Sequence, residues 1–331
     1  MTNSNANFDY PDNILATLPN LAVSIKGLNK TYFGQNGQPS KIALNSVDIA
    51  IPRGRFFGLL GPNGAGKSTI INIMAGLVSK TSGEVRVWGF DIEKDERRAR
   101  CAIGVVPQEL NLDPFFTPRE ILEVQAGLYG LRKKERRTEE ILETVGLIEK
   151  ADSFSRALSG GMRRRLLIAK AMVHSPPVLV LDEPTAGVDV ELRQTLWKSI
   201  RKLNQMGTTV LLTTHYLEEA EELCDSIAII DSGRVVACDT TEALLKKVDN
   251  KTVVLILSKP IETIPEQMKQ FNPVQSSPNE LRITYRQSSH VITDIISEVQ
   301  SSGLSIIDLI TEEVELEDIF MQLTGSKNKG E

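Results

Sequence analysis

The chain has 331 residues, carries 38 Lys and Arg against 43 Asp and Glu, and has a formal net charge of −5. That length suits about two domains, and that charge excludes a protein held to nucleic acid by bulk electrostatics. Cys101, Cys224 and Cys238 include no CxxC pair, which argues against a zinc site or disulfide framework and for thiols in a reducing compartment. No apolar run approaches the ~20 residues needed to span a bilayer.

Residues 1–20 are rich in Asn, Asp and Pro and lack both a basic start and an apolar core. They read as a disordered extension, not a secretion signal. Leu21–Leu28 and Ala43–Ile51 alternate as strands, with a turn by composition over 34–40. Tyr32 stands just before that turn. An aromatic there can stack on a purine base or simply half-bury on the strand, and spacing favours neither.

The most informative stretch follows: Phe56-Phe57-Gly58-Leu59-Leu60, then Gly61-Pro62-Asn63-Gly64-Ala65-Gly66-Lys67-Ser68-Thr69, then the helix-like Ile70–Ala75. This is G-x-x-x-x-G-K-[ST] between a strand and a helix, the context that makes the pattern a phosphate-binding loop. Glycines let the backbone curl and point successive N–H groups inward. The following helix adds its positive end. Lys67 is placed to reach β- and γ-phosphates, Ser68 to reach Mg²⁺ and Thr69 to reach an α-phosphate oxygen.

Glu84–Trp88 and Ala102–Val106 read as short strands, the second ending at Pro107-Gln108. Thr117-Pro118-Arg119-Glu120 is a capping box with Pro at the first helical position. Ile121, Leu122, Leu128 and Tyr129 then fall on one helical face, and Lys133–Val145 reads as a second helix. A helical block over about 110–173 is thus inserted into an α/β core. The basic run Lys133–Arg137 reads as a solvated face, with acidic lipid head groups as the sharper alternative. Ser159, with Gly160 and Gly161 after it, caps the next helix and leaves its start open to an anion.

Val178–Leu181 is fully apolar, as a parallel strand buried on both faces must be, and it ends in Asp182-Glu183. Neighbouring side chains on a strand point opposite ways, so the two carboxylates need not share a role. Asp182 suits the Mg²⁺ shell through water, and Glu183 suits a general base on the attacking water. Thr209–Thr214 is another buried strand, ending at His215 on the sheet edge where such folds bind ligands. Beyond a linker near Val248–Lys251, three strands and two helical faces suggest a small α/β domain over 249–324, followed by a polar tail over 325–331.

In this order the motifs resemble the ATP-binding subunits of ABC transporters over about Leu21–Leu245. Gly61, Pro62, Asn63, Gly64, Ala65, Gly66, Lys67, Ser68 and Thr69 match the Walker A loop. Gln108 matches the Q-loop, and Leu158–Gly161 the signature. Val178–Glu183 matches Walker B with its catalytic glutamate, Asp189 the D-loop and His215 the switch histidine. Tyr32 matches the aromatic that stacks on adenine. Met162 stands where many members carry Gln, so the signature carries over only as far as Gly161. Thr214–Glu221 and Leu316–Leu323 look like the type-two exporter branch that handles drugs, antibiotics and polysaccharides, and within it like the YadG-like bacterial subunits.

The resemblance implies a P-loop cassette over 21–248. It would have a RecA-like, mostly parallel core sheet, an antiparallel β subdomain, an inserted helical subdomain and the small C-terminal α/β domain. It implies an ATPase using ATP and Mg²⁺, with Ser68, Gln108 and Asp182 around the metal. Each ATP would lie between two copies of the chain, with Ser159, Gly160 and Gly161 donated by the partner. It further implies an integral membrane permease, no nucleic acid, and a peripheral place on the cytoplasmic face of the bacterial inner membrane. Three other readings are a soluble ABC ATPase of translation or DNA repair, an importer ATPase and a non-catalytic nucleotide sensor. A single cassette without sustained heptads argues against the first. The short α/β tail argues against the second by analogy. The presence of Glu183, Gln108 and His215 argues against the third.

Overall fold

The computed structural model of the chain describes residues 18–34, 39–185, 190–246, 250–261, 264–286 and 291–312, with 316, 319 and 320. The expected extension before residue 18, most of the 34–40 turn, the first half of the linker expected near Val248–Lys251, Asp189, Leu323 and the tail lie outside these, and the second half of that linker already belongs to a strand starting at Asn250. The chain divides into two compact units between Asp239 and Thr240.

The first unit begins with β1 (Leu21–Tyr32), β2 (Lys41–Pro52), β3 (Phe56–Leu60), α1 (Lys67–Met74), β4 (Ser82–Val87), β5 (Phe90–Asp91), α2 (Glu96–Cys101) and β6 (Ile103–Val106). A helical block follows, with α3 (Pro118–Leu128), a 3-10 turn over Lys133–Glu135, α4 (Thr138–Thr144) and α5 (Gly160–Met172). The core resumes with β7 (Val178–Asp182), α6 (Val190–Gln205), β8 (Thr209–Thr214), α7 (Leu217–Leu223), β9 (Ser226–Asp231) and β10 (Arg234–Thr240).

Two sheets result. The core sheet has six strands in the order β10-β9-β3-β8-β7-β6. Four of its five pairings, β9–β3, β3–β8, β8–β7 and β7–β6, are parallel. Strands covered on both faces carry no polar alternation, and Val178, Leu179, Val180 and Leu181 are each fully buried. Each such side chain contributes about 1.5–3 kcal/mol. The second sheet is antiparallel, in the order β2-β1-β4-β5. Its inward residues Val23, Ile25, Ile49 and Val85 share one apolar core with Ile70, Ile71 and Ile73 of α1 and with Phe57 and Val180 of the core sheet.

In the helical block the expected capping box is present. Thr117 Oγ1 accepts from the Glu120 N–H at 3.2 Å, and the Glu120 carboxylate accepts from the Thr117 N–H at 2.8 Å. Two expectations fail here. Leu128 does not share the buried face of Ile121 and Leu122, because the inward position on the last turn of α3 goes to Ala126, and Leu128 is 77 % exposed. Lys133–Val145 is not one helix. Arg136 is extended and turns inward, donating to Glu123 on α3 at 2.5 Å and to the Leu131 carbonyl at 3.1 Å, so α4 starts only at Thr138. The Thr138 hydroxyl and Arg136 together hold the Glu123 carboxyl below the usual carboxylate range. Arg137 of the basic run pairs with Glu140, and Arg132 just before it pairs with Glu135.

The second unit contains α8 (Thr241–Lys246), β11 (Asn250–Leu257), β12 (Val274–Ser277), β13 (Glu280–Arg286), α9 (Ile292–Ser301) and β14 (Ile306–Glu312). Its strands form an antiparallel sheet in the order β12-β13-β11-β14. Val253, Leu255, Leu281 and Ile283 pack there with Ile295 and Val299 of α9 and with Met268 and Phe271 of a 3-10 segment. Leu316 and Ile319 are buried, in keeping with the expected last helical face.

Candidate functional site

The loop after β3 is shaped by what its glycines touch. A Cβ at Gly61 would run into the Ile230 carbonyl oxygen of β9. Gly66 sits at φ +113 and packs against Leu44 and Ala43, so the turn into α1 has room only for glycine. Gly66 carries no side chain to cap α1, which leaves the first N–H groups of that helix open.

Lys67 opens α1 and is only 6 % exposed. Its ammonium donates to the Gly61 carbonyl at 2.5 Å and the Pro62 carbonyl at 3.2 Å, curling the loop over itself. Burial lowers its pKa, and Glu183 and Asp182 pull it back up. A buried cation held by two carbonyls, with open N–H groups beside it, suits a polyanion.

The carboxylates arrive from β7. Thr213, at the matching level of β8, donates its hydroxyl to Asp182 Oδ1 at 2.6 Å, fixing that carboxylate. The next residue, Glu183, has φ +45, a conformation that costs a non-glycine residue about 1–3 kcal/mol. Its N–H is held by both the carbonyl and the hydroxyl of Thr213, at 3.1 Å each. The Glu183 side chain reaches Gln108 and His215. Gln108 Nε2 donates to Glu183 Oε2 at 3.0 Å, and His215 Nδ1 lies 3.4 Å from the same oxygen. Gln108 is itself anchored, since the buried guanidinium of Arg164 on α5 donates to the carbonyls of Gln108 at 2.7 Å and Pro107 at 3.1 Å.

These groups surround a cleft of about 450 Å³ lined by Tyr32, Lys41, Ala43, Asn63–Thr69, Gln108 and Glu183. That volume is typical of small-ligand sites. The structure therefore gathers most of the expected residues. Gly61 and Pro62 lie beneath Lys67, Asp182 stands behind it, and His215 reaches in through Glu183. Ser159, Gly160 and Gly161 do not line this cleft. Ser159 caps α5, its hydroxyl accepting from the Met162 N–H at 3.2 Å. Asp189 lies outside the described residues.

Sequence reading missed Lys41, Ala43, Thr213 and Arg164. The pairing of Tyr32 with Lys41 across β1 and β2 brings Lys41 to the cleft. Two threonines closing the apolar run Val210–Leu212 were the visible signal for Thr213.

A glycine loop feeding a helix, an acidic pair ending the buried strand two places along the sheet and a histidine following the strand between them define a P-loop ATPase cassette. A family profile described as ABC transporter matches residues 44–186. The linearmycin resistance ATP-binding protein LnrL of Bacillus subtilis (strain 168) is 37 % identical over 86 % of this chain and 94 % of its own length. The Nod factor export ATP-binding protein I of Ralstonia nicotianae is 36 % identical over 92 % of this chain and 94 % of its own. The cassette MJ0796, solved as a dimer in a post-hydrolysis state with ADP and Pi, superposes with a TM-score of 0.59 at 30 % identity, covering 66 % of this chain and 98 % of that one. The chain belongs to the ABC transporter family. It is an ATP-binding, ATP-hydrolysing subunit of the exporter branch.

Proposed function

We propose that the chain energises export through a separate integral membrane permease of the type-two exporter class, working as a homodimer on the cytoplasmic face of the inner membrane. The supporting observation is the convergence of Gln108 and His215 on one oxygen of Glu183, at the rim of the phosphate cleft. In this reading Tyr32 stacks on adenine, while Asn63–Thr69 and Lys67 bind the phosphates. Glu183 takes a proton from the attacking water, and His215 steadies the γ-phosphate. Ser159, Gly160 and Gly161 of a second copy close over the nucleotide, with Asp189 at the join.

Ser68, Asp182 and Gln108 offer hard oxygen donors that would suit Mg²⁺, which when bound would supply neutralisation of charge on the phosphates. Hydrolysis then depends on positioning and charge, so closure of two copies gates the reaction. The second unit serves as an accessory domain in this scheme. The cited relatives are an export and a resistance protein, in keeping with outward transport.

The test is Glu183→Gln in the full chain. ATP binding should stay within about threefold of wild type while turnover falls about a hundredfold, with a nucleotide-trapped dimer on sizing. Wild-type turnover would remove Glu183 from the base role. Recovery of a membrane-spanning protein with the tagged chain tests the permease, and a chain that stays alone in membrane extracts contradicts it.

A further inference from the structure

The strands that end in Glu183 and His215 are tied together by one buried carboxylate outside the cleft. Glu219 lies on α7, four residues past His215, and is only 5 % exposed. Its Oε2 accepts from the hydroxyl of Thr185 at 2.9 Å and from that of Thr214 at 3.2 Å. Thr185 comes two residues after Glu183, Thr214 comes one before His215, and both are buried. The same carboxylate oxygen thus bridges the exits of β7 and β8.

The other oxygen, Oε1, lies 3.2 Å from Arg193 Nε on α6. The Arg193 guanidinium sits 4.9 Å from the centroid of the Tyr216 ring, and that ring leans on His215 with centroids 4.1 Å apart. Burial pushes the Glu219 carboxyl up, and Thr185, Arg193 and Thr214 pull it back. A carboxylate placed this deep costs stability unless it is well paired. Here its partners stand beside the reacting groups, and Glu219 does not itself line the cleft.

We propose that Glu219 is a positioning residue for ATP hydrolysis, its bridge between Thr185 and Thr214 setting the spacing of Glu183 and His215. This rests on the roles given above to those two residues. Displacing a reacting group by about 1 Å costs as much as a hundredfold in rate. Without the bridge the two strand exits can part, while phosphate binding, which depends on the loop and Lys67, is untouched.

The experiment is ATPase kinetics on the full chain for Glu219→Ala, Glu219→Gln and Thr185→Val, with Glu183→Gln as control. Glu219→Ala should lower kcat about tenfold to a hundredfold with KM for ATP within about twofold of wild type. Glu219→Gln keeps an oxygen acceptor for both hydroxyls and should recover kcat to within about threefold. Thr185→Val keeps the shape and removes one donor, and should lower kcat about fivefold at unchanged KM. It decides the matter if Glu219→Ala does not fold. A loss in Glu183→Gln beside wild-type kcat in the Glu219 and Thr185 variants overturns this inference alone. Wild-type kcat in Glu183→Gln overturns the site reading and this inference with it.

Discussion

Among the described residues, two helices of the ATPase unit have glycine at their start, Gly66 capping α1 and Gly160 opening α5, and they differ in what stands behind them. Behind α1 lie a buried ammonium, two strand-end carboxylates, a glutamine and a histidine. The start of α5 has Ser159 as its cap and two glycines, and a Cβ at Gly160 would meet only open space. The first is a nearly finished reaction site. The second offers bare N–H groups and no base. An anion-binding surface with no chemistry of its own makes sense when another copy brings the chemistry to it, which is why we assign the α5 start to the partner's nucleotide.

The sharpest way to break this contrast is to disable each start in turn. Lys67→Ala should lower turnover about a hundredfold or more and weaken ATP binding as well, because it removes the buried cation. Ser159→Ala should lower turnover about tenfold and leave binding of a fluorescent ATP analogue by the dilute single chain unchanged. Equal loss of binding in both variants would put the two starts on the same nucleotide within one chain. A smaller effect sharpens the contrast in stability. Gly66→Ala forces a side chain into φ +113 against Leu44 and should cost about 1–3 kcal/mol or more in urea unfolding. Gly160→Ala should stay within about 0.5 kcal/mol.

The reaction side of the fold was legible because parallel strands covered on both faces must be apolar, so the polar residues where each one ends stand out. Asp182 and Glu183 close one such run, and His215 follows the two threonines that close the other. What was not legible depends on partners distant in the chain. The helical periodicity of Lys133–Val145 is real, yet Glu123 draws Arg136 inward from another helix and breaks the run. Leu128 fits the pattern of α3 but falls where that helix faces solvent. Glu219 stands among Glu218, Glu221 and Glu222, and nothing in the sequence sets it apart from them. Only the meeting of two strand ends reveals that it is buried between Thr185 and Thr214. The short α2 has too few apolar residues to show a period.

The claim that two chains share each ATP is tested most directly by mixing two inactive variants. A Lys67→Ala chain keeps a working α5 start, and a Gly161→Asp chain keeps a working phosphate loop. Together they can form a dimer with one intact composite site. The account predicts that each variant alone shows no turnover and that the mixture regains it, with activity rising as the two are brought to equal amounts. A mixture as inactive as its parts, with mixed dimers present, would contradict it.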